Sequence, residues 1–246
     1  MNPSNDRSEY VEITRRPPDL RPVCPVFLTC EHASKRLPPP FRWPEEDAWL
    51  ESTHWAYDLG AAELTRELAA AFGATAVLSR FSRLLIDPNR DEDAPDLFRR
   101  VAEGRTVFLN ANIDANEREL RVTMARQYHQ TIDLELGADA AQIVLSVHTF
   151  TPVYEGQRRR VEIGVLFDEE DALAESVRRG IALAGFETHL NEPYSGKLGL
   201  IYSANRHAKK HGRRALELEV RQDLAVDPAV RARLTQALPA LFQRLE

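Results

Sequence analysis

Two histidines, His32 and His148, stand just after runs of apolar residues. Residues 26–30 and 143–147 are predicted to be buried strands. His32 lies two residues after the first run, and His148 directly follows the second. The carboxyl ends of parallel strands meet at one edge of a sheet, where open α/β folds keep their sites. Imidazole is a common zinc ligand, so both histidines are candidate ligands of one zinc ion, with Glu31 as a supporting partner.

A catalytic zinc site needs a third protein ligand and an open position. Asp58 lies three residues before Ala61, on the inward stripe of a helix predicted for residues 54–72, and is a candidate for that ligand. The alternative is an ordinary aspartate that complements the helix dipole. His54, one turn earlier, is a second candidate for the third ligand.

A separate carboxylate is required as the base of such a site. Residues 214–221 alternate in polarity, which predicts a strand with Glu217, Glu219 and Arg221 on one face. Glu219 is the better candidate because it lies nearer the carboxyl end of the strand. It would take a proton from the water that attacks a carbonyl and pass it to the leaving nitrogen. Arg221 would help the zinc to stabilise the oxyanion.

Polar residues between the predicted elements could bind a substrate. Arginines follow a strand predicted for residues 74–79, and guanidinium matches a carboxylate with two parallel hydrogen bonds. A solvated loop with an Asp87 salt bridge is the alternative. His129, on a helix predicted for residues 116–136, could face the site or simply pack, and Ser195 belongs to a loop that could line a pocket. The candidate substrate-binding residues are Arg83, Asn89, Arg90, His129 and Ser195.

The elements that must position these residues alternate between strand and helix. The remaining predicted elements are strands at residues 161–167 and 186–190 and helices at residues 169–184 and 228–245. Such alternation predicts an α/β fold with a mostly parallel sheet and helices on both faces. Residues 23–246 are predicted to form a single domain. Residues 1–22 are polar and are predicted to be an N-terminal arm, disordered or laid over the surface.

Composition restricts the classes of partner and the compartment. The 246 residues are 43% hydrophobic and 28% charged, enough for a full core, and the net charge of -6 gives no broad attraction for nucleic acid or an anionic membrane. Without a signal-peptide pattern or an apolar segment of membrane-spanning length, a cytoplasmic protein is predicted, as a monomer or homodimer. Cys24 and Cys30 are too far apart along one strand for a disulfide and are predicted to be reduced core residues.

Five short stretches, in this order, resemble the N-formylglutamate amidohydrolase (N-formylglutamate deformylase) family over roughly residues 23–226. They are Thr-Cys-Glu-His-Ala-Ser from residue 29, Asp-Leu-Gly-Ala from residue 58, Ser-Arg-Leu-Leu-Ile-Asp-Pro-Asn-Arg from residue 82, Ser-Val-His-Thr-Phe from residue 146 and Glu-Val-Arg-Gln-Asp-Leu from residue 219. The resemblance implies a zinc-peptidase-like (phosphorylase/hydrolase-like) three-layer fold. It also implies hydrolysis of N-formyl-L-glutamate, a small anionic N-acyl amino acid, to formate and L-glutamate in histidine catabolism.

The resemblance also assigns roles by position. His32 and His148 look like ligands of one zinc ion per chain, Asp58 takes the role of third ligand, and Glu219 looks like the catalytic carboxylate. The arginines that resemble those of the family, and that would suit a substrate with two carboxylates, are Arg83, Arg90 and Arg221.

Comparison with the patterns of other zinc hydrolases leaves alternatives open for the third ligand, the substrate and the function. Lys35 stands where a zinc carboxypeptidase would carry a glutamate, three residues after its first histidine, so the third ligand must be Asp58 or His54. The order of site residues also looks like that of zinc-dependent cell-wall amidases, which generally act outside the cytoplasm. Another N-acyl amino acid or a peptidoglycan fragment is therefore an alternative substrate. A non-catalytic ligand-binding member of the fold is the alternative from a different class.

Overall fold

The structure is a computed structural model that describes residues 4–16 and 22–243. Along these residues the strands are β1 (Ser4–Arg7), β2 (Val11–Arg15), β3 (Val26–Cys30), β4 (Ala76–Ser79), β5 (Val101–Ala102), β6 (Arg105–Thr106), β7 (Ile143–Phe150), β8 (Val153–Tyr154), β9 (Gln157–Arg158), β10 (Ile163–Leu166), β11 (Thr188–Leu190) and β12 (Arg214–Arg221). The helices are α1 (Ala61–Phe72), α2 (Ala115–Ala138), α3 (Asp171–Leu183), α4 (Tyr202–His211), α5 (Gln222–Ala225) and α6 (Pro228–Phe242).

The main sheet has eight strands in the described part of the chain, in the order β1-β2-β4-β3-β7-β12-β10-β11. Its centre is parallel, because β3 pairs in parallel with β4 and β7, and β7 with β12. The pair β10–β11 is also parallel, whereas β10 runs antiparallel to β12 and β1–β2 form an antiparallel hairpin. The sheet is therefore mixed, with parallel strands where the predicted site residues lie.

Helices cover both faces of this sheet. One apolar cluster joins its strands to Leu68 of α1, Val177 of α3 and Leu238 of α6. The cluster on the other face includes Ile132 of α2 and Ala208 of α4. These side chains are buried because each helix carries an apolar stripe that must be removed from water. The predicted α/β class, with helices on both faces in three layers, is confirmed.

The prediction of an arm that is disordered or merely laid over the surface is wrong for residues 4–16. Strand β2 pairs antiparallel with β4, with Val11 opposite Ser79, and so extends the main sheet. Val11 is buried in the apolar cluster that also contains residues of α2. The hairpin covers the edge of β4, whose backbone would otherwise be unpaired on that side. Residues 1–3 and 17–21 lie outside the described residues.

One helix begins later than predicted, and another was not predicted. The helix predicted for residues 54–72 begins only at Ala61, because residues 54–60 form turns. Helix α4 had no predicted counterpart. None of the helices in the described ranges combines the length and the apolar character needed to cross a membrane. Cys24 and Cys30 are both free and buried, as predicted.

Candidate functional site

The three central parallel strands bring the predicted catalytic residues to one end of the sheet. His32 lies two residues beyond the end of β3, and His148 lies near the end of β7. On β12, Glu219 is the register partner of His148, and Glu217 is the partner of Ser146. Residues that are more than a hundred positions apart in the chain therefore meet at the carboxyl ends of neighbouring strands.

His32, Asp58 and His148 form a buried group that could hold a metal ion, with one ligand atom from each residue within 4.8 Å of the others. Nδ1 of His148 lies 2.9 Å from Oδ2 of Asp58, and Nδ1 of His32 lies 3.5 Å from the same oxygen. His54 lines the adjoining cavity but is not part of this group. Of the two candidates for the third ligand, the geometry favours Asp58.

The remote nitrogens of both histidines face carboxylates. Nε2 of His32 lies 2.7 Å from Oδ1 of Asp87, and Nε2 of His148 lies 3.0 Å from Oε2 of Glu31. Such contacts fix the ring orientation of metal-binding histidines and leave the other nitrogen for the metal. Within the described residues, Nδ1 of His32 is buried without a hydrogen-bond partner. Its lone pair is therefore free to coordinate a cation. The donor set of two imidazoles and one carboxylate fits a catalytic zinc ion.

Asp58 is held in place by backbone contacts rather than by a helix. Its N–H donates to the carbonyl of His32 over 2.9 Å, and its Oδ2 accepts from the N–H of Thr149 over 3.1 Å. Burial opposes ionisation of this carboxyl, but the adjacent His32 and His148 hold its pKa below the usual range. Asp58 is thus oriented between the two strand ends and is suited to bind a cation.

Glu31 supports His148, in agreement with the prediction that it is a partner and not a ligand. Its carboxylate also accepts hydrogen bonds from the hydroxyl groups of Tyr128 and Ser146. Burial alone would raise the pKa of Glu31, yet the contact with His148 lowers it below the usual range. A fully buried carboxylate with these partners keeps its negative charge behind the histidine.

The two glutamates of β12 differ in their partners. Oε2 of Glu217 lies 3.5 Å from Nε2 of His148 and 3.5 Å from Nδ2 of Asn89. Oε2 of Glu219 is buried with no hydrogen-bond partner in the described part of the chain. Burial raises the pKa of Glu217 to about 7. Burial and the charge of Glu217 raise the pKa of Glu219 well above its usual value. Glu219 is therefore the carboxyl that is free to exchange a proton with a ligand.

A cavity of about 650 Å³ opens over the metal-binding group and contains three of the predicted substrate-binding residues, Arg83, Asn89 and Arg90. Arg83 donates to Oδ2 of Asp87 over 3.0 Å and to Oδ1 of Asp58 over 3.4 Å. Arg90 donates to Oδ2 of Asp96 over 2.9 Å. Asn89 accepts from the N–H of Ser203 over 2.9 Å, which ties the loop to α4.

Arg221, predicted to stabilise an oxyanion, does not line this cavity. Its Nε donates to Oδ1 of Asp223 over 2.7 Å, and its Nη1 donates to the carbonyl oxygens of residues 159, 160 and 161 over 3.3, 3.3 and 3.4 Å. The prediction of a direct role at the oxyanion is therefore not supported by the geometry. These contacts instead hold the segment before β10 against the end of β12.

His129 and Ser195 were predicted to bind substrate, and neither lines the cavity. Nδ1 of His129 lies 2.9 Å from Nε2 of His207, between α2 and α4, and burial lowers the pKa of His129 to about 3. His129 therefore packs, which was the second of its two predicted roles. Ser195 accepts the N–H of Leu198 through its carbonyl, and the cavity is lined instead by its neighbour Tyr194.

Several cavity residues were not predicted from the sequence. They come from turns and short hairpins that have no hydrophobic period, and they are Trp55, Arg99, Tyr154 and Arg159. A basic run at residues 158–160 just after the His148 strand was the signal for Arg159. Tyr194 belongs to the loop that was predicted to line a pocket, so that prediction is right for the loop although Ser195 was the residue chosen from it.

Comparisons with known proteins agree with this geometry. The family model of N-formylglutamate amidohydrolase matches residues 24–226. The gene product Atu2144 from Agrobacterium tumefaciens has a similar structure, with 30% sequence identity and a TM-score of 0.85 over 96% of this chain and 94% of that one. An N-formylglutamate amidohydrolase from Ralstonia eutropha JMP134 shares the fold at 17% identity, with a TM-score of 0.61 over 97% of each chain. The search of curated proteins gives no match.

Proposed function

Because the chain belongs to the N-formylglutamate amidohydrolase family and is an amidohydrolase, we propose that it is a zinc enzyme that hydrolyses N-formyl-L-glutamate. The products are formate and L-glutamate. The observation that carries this proposal is the buried group of His32, Asp58 and His148 beside Glu219 on the neighbouring strand, whose Oε2 has no hydrogen-bond partner among the described residues. The family match supports the choice of substrate.

The residues that would hold zinc are His32, Asp58 and His148, with one ion per chain. When bound there, zinc would act as a Lewis acid that polarises the amide carbonyl and favours ionisation of water. Asp87 and Glu31 would keep both imidazole rings oriented through their Nε2 atoms.

Glu219 moves the proton in the proposed reaction. Its carboxylate removes a proton from the attacking water, whose oxygen forms a bond to the formyl carbon. The protonated Glu219 then delivers this proton to the amide nitrogen as the C–N bond breaks, so the amine leaves neutral. Burial and Glu217 favour the protonated form of Glu219, which suits the second step. Positive charge bound at the adjacent His148 would lower the pKa of Glu219 and restore its basicity for the next turnover.

The cavity suits a small anionic substrate. Its volume of about 650 Å³ falls within the usual range for small-molecule sites. Arg83 and Arg90 line it and are only 22% and 19% exposed, so their guanidinium groups are partly shielded from water. We assign them, together with Asn89, to a carboxylate of the substrate.

Metal analysis and two substitutions test the proposal. We expect about one zinc per chain after gentle purification. His148→Ala should lose both the metal and the release of formate. Glu219→Gln should keep the metal and lose at least about a hundredfold in kcat, because the amide cannot accept the proton. The exposed Glu169→Gln serves as the matched control and should behave like the wild type.

The outcomes separate the alternatives. Full activity of His148→Ala in the presence of a chelator would contradict the zinc mechanism. Normal turnover by Glu219→Gln, with loss in Glu217→Gln, would move the base to Glu217. A panel of N-formyl and N-acetyl amino acids, assayed by the released amine, tests the substrate. A protein that binds these compounds without hydrolysing any of them would be the non-catalytic alternative.

A further inference from the structure

The arginines that line the cavity fall into two groups according to their partners. Arg83 and Arg90 are paired with carboxylates of the protein. Arg99 and Arg159 form no ion pair with a carboxylate in the ranges that the structure describes. A guanidinium that remains charged in a partly enclosed cavity without a counter-ion is a site for an anion.

Arg159 is surrounded by aromatic rings. Its guanidinium carbon lies 4.8 Å from the ring centre of Tyr154, 5.3 Å from that of Tyr194 and 5.4 Å from that of Phe150. Its Nη1 also donates weakly to the hydroxyl of Tyr194, over 3.4 Å. Cation–π contacts hold the guanidinium in place without neutralising its charge. Within the described ranges its guanidinium makes no other hydrogen bond, so its remaining N–H groups are available to a ligand.

The backbone of Arg159 is also fixed. Its N–H donates to the carbonyl of Pro152 over 2.9 Å, which closes the β8–β9 hairpin, and its carbonyl accepts from Nη1 of Arg221 over 3.3 Å. Arg221 is itself held by Asp223. Arg159 is therefore preorganised, and little conformational entropy would be lost when it binds an anion.

The aromatic rings around Arg159 line the same cavity as the metal-binding group and Glu219. Phe150 lies two residues after His148 on β7, so both side chains project from the same face of the strand. Tyr194 and Glu219 both line this cavity. Burial raises the pKa of the Tyr194 hydroxyl, and the charge of the nearby Glu219 raises it further. Arg159 and the metal-binding group line the same cavity, so a ligand in this cavity can contact both.

We propose that Arg159 determines specificity by binding an anionic group of the substrate that is separate from the carboxylate bound by Arg83 and Arg90. The inference rests on the proposed function for the position of the amide. Arg159 on the β8–β9 hairpin would then distinguish a dicarboxylate from a substrate with one carboxylate. Arg221, which was expected near the substrate, would act indirectly by holding residues 159–161.

The test compares N-formyl-L-glutamate with N-formyl-L-glutamine, which has nearly the same shape but no charge on the side chain. The wild type should prefer the glutamate. Arg159→Met should raise KM for N-formyl-L-glutamate by about tenfold to a hundredfold, the range for a lost charge-assisted contact, and leave KM for N-formyl-L-glutamine within about twofold. The control Arg158→Met changes the preceding arginine, whose side chain is 76% exposed, and should keep the wild-type preference.

Binding of glutarate, measured by calorimetry, provides a readout that does not require turnover. Glutarate should bind to the wild type and to Arg158→Met, and at least tenfold more weakly to Arg159→Met. An unchanged preference or unchanged glutarate affinity in Arg159→Met would overturn the inference, as would a wild type without preference or without glutarate binding. If the wild type hydrolyses neither formyl compound, the proposed function fails, and the glutarate measurement alone decides the role of Arg159.

Discussion

At the scale of single residues, two carboxylates, one behind each histidine, set the orientation and basicity of the rings in the candidate metal site. Asp87 and Glu31 each contact an Nε2 atom, so both rings present Nδ1 to Asp58. The negative charge behind each ring increases the basicity of Nδ1, the nitrogen that would bind a metal ion. Metal affinity in this protein should therefore depend on residues that never touch the ion.

Glu31→Gln tests this dependence. The substitution keeps the size of the side chain but removes the negative charge that faces His148. We expect the affinity for zinc to fall by about tenfold to a hundredfold, as for other supporting contacts of this kind. The measurement is a competitive titration with a chelator of known affinity.

Tyr128→Phe is the matched control for Glu31→Gln, because it removes one donor to Glu31 and leaves the carboxylate in place. Its zinc affinity should change by much less. Equal affinities in Glu31→Gln and the wild type would show that the carboxylate does not support the ligand.

At the scale of elements, the turn between His32 and α1 decides where Asp58 points. Gly60 has a φ of 82°, in the left-handed region, and directly precedes α1. A Cβ at this position would lie 2.7 Å from the backbone carbon and oxygen of Ala225. The glycine is therefore required both by its backbone angle and by the close approach of α5.

Gly60→Ala should destabilise the protein and displace Asp58. We expect the free energy of unfolding to fall by about 2 kcal/mol or more, because the clash is with backbone atoms that cannot rotate away. Zinc content should fall in the same variant, since Asp58 is only two residues away. Thermal or denaturant unfolding and metal analysis provide the two measurements.

Gly104→Ala separates the two causes. Gly104 also has a positive φ, of 73°, but nothing lies within 4 Å of a Cβ built there. It should show only the backbone strain, of about 1 kcal/mol, with normal zinc content. If both variants lose the same stability, the contact with Ala225 has no role.

For the whole molecule, buried histidines between α2 and α4 make the fold sensitive to acid. Burial is the main cause that lowers the pKa of His129, from an ordinary value of 6.5 to about 3, with the neighbouring His207 as the second cause. Between these two pH values the unfolded chain binds a proton at this residue and the folded chain does not. Stability from His129 is therefore fully present above pH 6.5 and is lost as the pH falls towards 3.

His129→Gln should make unfolding less dependent on pH in this window. The largest change in slope from one group is about 1.4 kcal/mol per pH unit, and urea unfolding at several pH values between 4 and 7 measures it. His189→Gln is the control, because the hydrogen bond to Glu187 raises the pKa of this half-buried histidine, so the pKa shift of His189 has the opposite sign to that of His129. Identical slopes for His129→Gln and the wild type would mean that His129 is not kept neutral by the fold.

The structural features that could be predicted from sequence are those with a strong hydrophobic period, or those where an apolar run ends abruptly in polar residues. The alternation of residues 214–221 correctly predicted β12 and the shared face of Glu217 and Glu219. The same alternation placed Arg221 on that face but could not predict its partners, Asp223 and the carbonyls of residues 159–161. A strand pattern specifies the side of the sheet, whereas the contacts at its end depend on which loop packs there.

The α/β class, the two strand-end histidines and the family could all be predicted from residue patterns, because apolar periodicity and short motifs are properties of neighbouring residues. Tertiary structure alone decided that Asp58 rather than His54 joins His32 and His148, that His129 packs away from the cavity, and that Arg159 enters it. These outcomes depend on turns and hairpins without a hydrophobic period. Their positions are set by long-range packing on the sheet and by the cost of burying an unpaired polar group. The local spacing of residues predicts neither of these.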